Sequence, residues 1–199
     1  MPSRTRLIFA LTTLAVALVI GLGAFWLTRG GPGGFGTAMV GGPFTLTDQT
    51  GKRVSDTDFR GKYMLIFFGY TYCPDVCPTE LQVMSAALDQ LGSSAGKIQP
   101  IFITIDPERD TPELMKAYVA NFHPRLIGLT GSPAEIAAAG KAYRVYYARA
   151  KGYETAKDYL MDHSTILYLM GPDGKYVTHS TYSTDAKALA DDLRNAIGS

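Results

Sequence analysis

The sequence predicts an α/β fold. Three continuous apolar runs of strand length alternate with stretches of helical periodicity, and an alternating pair of runs around the turn "GPDG" follows, with one more helical stretch after it. Apolar runs without polar alternation mark strands buried on both faces, which is what a parallel sheet covered by helices requires.

The chain has 199 residues, and 19 Lys plus Arg against 18 Asp plus Glu give a formal net charge of +1. A balance this even carries no electrostatic footprint for nucleic acid. The first element is "LIFALTTLAVALVIGLGAFWL", residues 7–27, uncharged and about 20 residues long, enough to cross about 30 Å of hydrocarbon as a helix. A cleaved signal peptide is the alternative, but its apolar region runs to about 7–15 residues, shorter than this span. Trp26 sits where an interfacial aromatic anchor belongs. Arg4 and Arg6 before the span and Arg29 after it favour a cytoplasmic N-terminus. The expectation is a single-pass inner-membrane protein with its domain facing the periplasm. Residues 1–29 are then the anchor, 30–42 a Gly- and Pro-rich linker, and 43–199 one domain, with no internal repeat.

Within that domain "PFTLTDQTGKRVS" alternates around a glycine turn and predicts a hairpin at the N-terminal side of the fold. "KYMLIFFGY" predicts a buried strand. From position 78 to 91 the residues Leu81, Val83, Met84, Ala87, Leu88 and Leu91 recur at helical spacing. "KIQPIFITID" is a second buried strand. "DTPELMKAYVANF" is a helix with Thr111 as N-cap and Pro112 at its first position. "LIGLT" makes a third strand, and in "SPAEIAAAGKAY" Ser132 and Glu135 form a capping box. "YRVYYARA" reads as a half-buried strand. "STILYLM" and "KYVTHSTY" pair as an antiparallel hairpin. A last helix is capped near Thr184 or Asp185 and carries Leu189, Leu193 and Ile197 on one side. Parallel βαβ units closed by a hairpin and a helix make a thioredoxin-like fold, here with an N-terminal hairpin extension. Met64, Met84 and Met170 fall on core faces.

The two cysteines of the chain, Cys73 and Cys77, stand in "GYTYCPDVCPTEL", in the loop between the first buried strand and the following helix. The helix N-terminus stabilises an anion, so a thiol there is available as the thiolate that attacks disulfides and binds metals. An inert disulfide across so short a loop would remove little chain entropy. A redox dithiol of thioredoxin type has two intervening residues; here there are three. Sulfurs at i and i+4 converge over one helical turn with room for a metal ion, so the pair reads as half of a metal site. The domain lies in an oxidising compartment, where unligated thiols pair, so Cys73 and Cys77 also form a redox-active dithiol needing an electron source.

Three histidines are candidates for the remaining ligand. His123, in "NFHPRL", ends a helix and His179, in "VTHST", lies on an outer strand; both read as surface residues. His163, in "MDHSTILYLM", precedes the first strand of the C-terminal hairpin, a place that faces the active-site cysteines in thioredoxin-like folds. Asp106 either caps its own turn or stands near the site as an acceptor or an occasional ligand. Asp162 either orients His163 or is solvated.

The stretches "GYTYCPDVCPTEL", "ITIDPERDTPE" and "YLMDHSTILYLMGPDGKY" resemble the three signature stretches of the Sco/SenC family, the copper chaperones of cytochrome c oxidase assembly. The resemblance runs from about Pro43 through the domain, and a single N-terminal anchor fits it too. It implies that Cys73, Cys77 and His163 bind copper. Two thiolates and an imidazole suit three-coordinate Cu(I), and Cu(II) if a weak fourth ligand or water joins, whereas structural zinc takes four closed ligands. The implied partners are the copper-site subunit of the oxidase, a periplasmic copper donor and a thioredoxin-like reductant. Delivery of copper to the binuclear copper centre is the leading function. The alternative is a thiol-disulfide oxidoreductase reducing the oxidase's copper-site cysteines. A peroxidase fits less well, because a peroxidatic cysteine stands alone in its loop.

Overall fold

The computed structural model describes residues 4–29, 40–152, 158–181 and 185–198. The chain divides into two units, Met1–Met39 and Val40–Ser199, each described by itself. In the first, one helix, α1 (Arg4–Arg29), covers the residues expected as an anchor. Its described side chains are those of Ile8 and residues 11–23, and the apolar ones, such as Leu14, Val19 and Ile20, are exposed. Among the described residues no helix is long and apolar enough to cross a membrane. Most of the expected linker, residues 30–39, lies outside the described residues.

The second unit opens with the expected hairpin. β1 (Thr45–Asp48) and β2 (Arg53–Ser55) pair antiparallel, with Leu46 opposite Val54 and both buried. The Asp48 carboxylate closes the turn by accepting the N–H groups of Thr50 and Lys52, and Gly51 takes the positive φ of +85° that the turn needs. Then come β3 (Tyr63–Gly69), α2 (Val76–Leu91), β4 (Ile98–Thr104), α3 (Pro112–Val119), β5 (Ile127–Thr130) and α4 (Pro133–Tyr143). β3, β4 and β5 run parallel, with Phe67 level with Phe102 and Ile103 level with Leu129. Thr111 Oγ caps α3 by accepting from Leu114 N–H, and Ser132 with Glu135 forms the capping box of α4.

β6 (Tyr147–Arg149) and β7 (Met161–His163) form a separate two-stranded ribbon. β8 (Ile166–Met170) returns to the main sheet antiparallel to β3, and β9 (Tyr176–Thr181) pairs with it at the edge. α5 (Ala186–Ala196), capped by Asp185, packs its buried Leu189 and Leu193 toward α2. Thr184 lies outside the described residues. The main sheet order is β2-β1-β5-β4-β3-β8-β9. The N-terminal hairpin therefore extends the sheet beyond β5, through antiparallel pairing of Thr47 with Thr130. Met64, Met84 and Met170 are core residues, and β3 and β4 are buried on both faces.

Candidate metal centre

β3 delivers the chain to the site and α2 leads it away. At the end of β3, Gly69 leaves no room for a side chain: a Cβ there would stand 2.7 Å from Cys77 Sγ and 2.8 Å from the Phe102 ring. α2 begins at Val76, so Cys77 lies in its first turn, fully buried, while Cys73 precedes the helix and is half-buried. The N-cap residue Asp75 makes no side-chain cap bond. The Cys77 N–H instead donates to Cys73 Sγ at 3.4 Å, so a sulfur takes up one of the free donors of the helix end. Pro78 costs nothing in this first turn, where an N–H would have no helical acceptor.

The two sulfurs divide their protons unequally. The Cys73 thiol is held far below the ordinary thiol range, first by a hydrogen bond from Cys77 and, against burial, by His163 and the backbone N–H groups of Cys77 and Asp75. Cys77 is pushed the other way by donating to Cys73, by burial and by the Cys73 charge. Cys73, the more exposed sulfur and the one that accepts the Cys77 N–H, is the better placed of the two to hold the negative charge of the metal-free pair.

His163 comes from β7, where it stands opposite Tyr147. Ser164 N–H donates to the Tyr146 carbonyl at 2.9 Å and Tyr146 N–H to Ser164 Oγ at 3.1 Å, tying down the strand end. The imidazole Nε2 is 3.4 Å from Cys77 Sγ, and Nδ1 is 3.0 Å from the Ser164 carbonyl oxygen. A carbonyl only accepts, so Nδ1 carries a proton, and Nε2 is the ring nitrogen that faces the sulfurs and is placed to bind a metal. Phe67 and Tyr70 meet the ring edge-on, at centroid distances of 6.2 and 6.0 Å. Cys73 Sγ, Cys77 Sγ and a His163 ring nitrogen all lie within 4.8 Å of one another. Two sulfurs and an imidazole nitrogen form a soft donor set that fits Cu(I), and the trio falls short of a closed four-ligand zinc site.

The other candidates lie outside this trio. Asp106 is buried but committed to Arg109 and to the Tyr159 hydroxyl. Asp162 is exposed, and the Ser164 carbonyl, not Asp162, takes the Nδ1 proton. His123 Nδ1 accepts the Arg125 N–H and the ring faces Asp89 at 3.8 Å. His179 is exposed and bonded to the Tyr176 hydroxyl.

Asp110 was not foreseen as part of the site. Fully buried, it accepts Thr71 N–H at 3.1 Å and the hydroxyls of Thr71 and Thr104, which ties the cysteine loop to the loop after β4. Burial raises its pKa above the ordinary carboxylate value, against those hydrogen bonds. Its only sequence signal is its place in "ITIDPERDTPE", where an acid before a helix reads as a cap.

Comparison with known proteins follows the same lines. The SCO1/SenC family profile matches residues 34–198. The protein SCO1 homolog 1, mitochondrial, of Arabidopsis thaliana is 45% identical over 157 residues, 78% of this chain and 46% of that protein. The chain therefore spans about half the length of that relative. The solved structure of Bradyrhizobium japonicum ScoI with copper bound is 48% identical, with a TM-score of 0.72 over 79% of this chain and 99% of that one. BsSco, a member of the Sco family of cytochrome c oxidase assembly proteins in which a disulfide switch has been identified, is 28% identical, with a TM-score of 0.63 over 79% of this chain and 93% of that one.

Proposed function

Since this chain belongs to the SCO1/SenC family, we propose that it binds one copper ion through Cys73, Cys77 and His163 and carries it to the binuclear copper centre of cytochrome c oxidase during assembly. The observation that carries this reading is the convergence of two sulfurs and a ring nitrogen within 4.8 Å, with the imidazole tautomer set by the Ser164 carbonyl. Copper binding by the Bradyrhizobium relative and the oxidase-assembly role of the family to which BsSco belongs support it. Cys77 is sealed in the core while Cys73 is half-buried, so an incoming client thiolate meets Cys73 first. Release then proceeds by exchange of one ligand at a time, Cys77 being the last to let go.

The test is metal stoichiometry on the reduced, purified protein. One Cu(I) per chain is expected, and His163→Ala should weaken uptake at least about tenfold with the fold kept, because two thiolates remain. His123→Ala and His179→Ala should bind like the parent. Unchanged copper affinity in His163→Ala would overturn the three-ligand site.

A second reading shares the same atoms. A Cys73 thiolate beside a protonated Cys77 is the reduced state of a dithiol reductant, and the disulfide switch in BsSco supports this role. Reduction of the oxidase's copper-site cysteines would leave Cys73 and Cys77 as a disulfide, which a thioredoxin-like reductant must reopen before the next cycle. The site's surroundings are assigned to the periplasmic side of an inner membrane, with residues 7–27 as the anchor and a periplasmic copper donor loading the site.

A further inference from the structure

His163 rides on a segment that the main sheet does not hold. Among the described residues β7 pairs only with β6, three residues against three, and a two-stranded ribbon of that size is marginal on its own. The cysteines are better anchored, one within α2 and the other in the loop that β3 delivers. Something outside the ribbon must keep the imidazole at Cys77.

The loop after β4 reaches both partners. There the Arg109 guanidinium donates from Nε to Asp106 Oδ2 at 2.5 Å and from Nη1 to the Tyr159 carbonyl at 2.9 Å. Its carbon centre lies 3.7 Å from the centroid of the Tyr159 ring, 4.7 Å from that of Tyr72 and 5.8 Å from that of Tyr70. The Tyr159 hydroxyl donates to Asp106 Oδ1 at 2.6 Å, closing a ring of contacts. Met161 N–H donates to the Tyr70 hydroxyl at 3.1 Å. Tyr70 and Tyr72 belong to the cysteine loop, whereas Tyr159 and Met161 lead into His163. Arg109 touches both sides.

We propose that Arg109 is a positioning residue of the metal site, a clamp that holds the His163 segment against the cysteine loop. Its role toward copper rests on the function proposed above; its mechanical role stands on these contacts alone. Arginine suits the task because a planar cation hydrogen-bonds along its edge while its faces lie on aromatic rings. A lysine ammonium is a point charge and offers no such plane. Losing the clamp loosens one ligand of three, because Cys73 and Cys77 have their own supports in β3, α2 and the Thr71–Asp110 bonds.

The experiment uses the full chain in detergent, as Arg109→Lys and Arg109→Ala, with Arg53→Ala as a remote control. In the metal-free reduced protein, amide exchange at Met161 and Ser164 should rise about tenfold or more in both Arg109 variants, while β3 and α2 keep the parent's rates. With Cu(I) added, X-ray absorption should still show two sulfur ligands per copper and a diminished imidazole contribution. Arg109→Lys should not rescue either effect.

Unchanged exchange at Met161 and Ser164 overturns the clamp, and so does a uniform rise through β3 and α2, which marks a general structural role. If Arg109→Ala does not fold, the milder Arg109→Lys and Tyr159→Phe, which keeps the ring and loses the bond to Asp106, carry the same measurement. If the parent takes up no copper, the proposed function fails while the metal-free exchange still decides the clamp.

Discussion

Glu80 is 2% exposed, and neither of its carboxylate oxygens has a hydrogen-bond partner among the described residues. Burial alone pushes its pKa up from 4.5 to about 7. Below pH 4.5 the group is protonated in both folded and unfolded chains and contributes no pH dependence. Between 4.5 and 7 the folded protein keeps the proton that the unfolded chain releases, so stability falls as pH rises, by up to about 3 kcal/mol, and levels off above 7. Glu80→Gln should flatten that slope; equal pH slopes for parent and variant in urea melts between pH 5 and 8 would show that Glu80 finds a partner. Gly69 makes a second test at this scale, because the position its Cβ would take is filled by Cys77 Sγ and Phe102. Gly69→Ala is expected to cost about 1–3 kcal/mol through overpacking and to displace Cys77 from His163. A variant with the parent's melting temperature and copper affinity would contradict this.

At the scale of elements, the site joins three pieces that differ in how firmly they are held. β3 is paired on both sides, to β4 and to β8, and α2 packs on α5, so the cysteine pair sits on the best-supported part of the fold. The β6–β7 ribbon has one pairing of three residues a side and depends on side-chain contacts from other loops. Under the proposed function this asymmetry has a use: the firm part would keep the thiolates in place while the looser part would let one ligand leave during transfer. α1 sets a different expectation. If residues 7–27 are the proposed anchor, the protein stays in the membrane pellet after alkaline carbonate washing, with its N-terminal sequence intact. Recovery in the supernatant, or a mature N-terminus beyond Gly30, would refute the anchor.

For the whole molecule, the proposed site makes copper and a Cys73–Cys77 disulfide mutually exclusive, because disulfide sulfur is no longer an anionic donor. Fully oxidised protein, titrated anaerobically with Cu(I) and no reductant, should take up none, and prior copper loading should protect both thiols from alkylation. Tight stoichiometric uptake by the disulfide form would show that the thiolates are not the ligands. The sequence by itself determined the kind and order of the elements, since apolar period, caps and turns act over a few residues: Thr111, Ser132 and Asp185 all cap where their helices start. It also singled out Cys73, Cys77 and His163, the first two by spacing and the third by its place before a strand. Only the tertiary structure decided that the N-terminal hairpin joins the sheet at β5, and that His163 ends a strand of its own instead of lying in a loop. β6 lies in the stretch read as a half-buried strand, but β7 is three residues long, too short for a period to register, and its pairing with β6 spans a segment that no local rule closes. Arg109, Asp110 and Tyr159 stayed hidden for a related reason. In sequence they read as charges and a ring on turns, and they become buried or half-buried partners only when contacts 39 to 53 positions apart bring the loops together. Local chemistry chose the donors; long-range packing, which no short window contains, chose their neighbours.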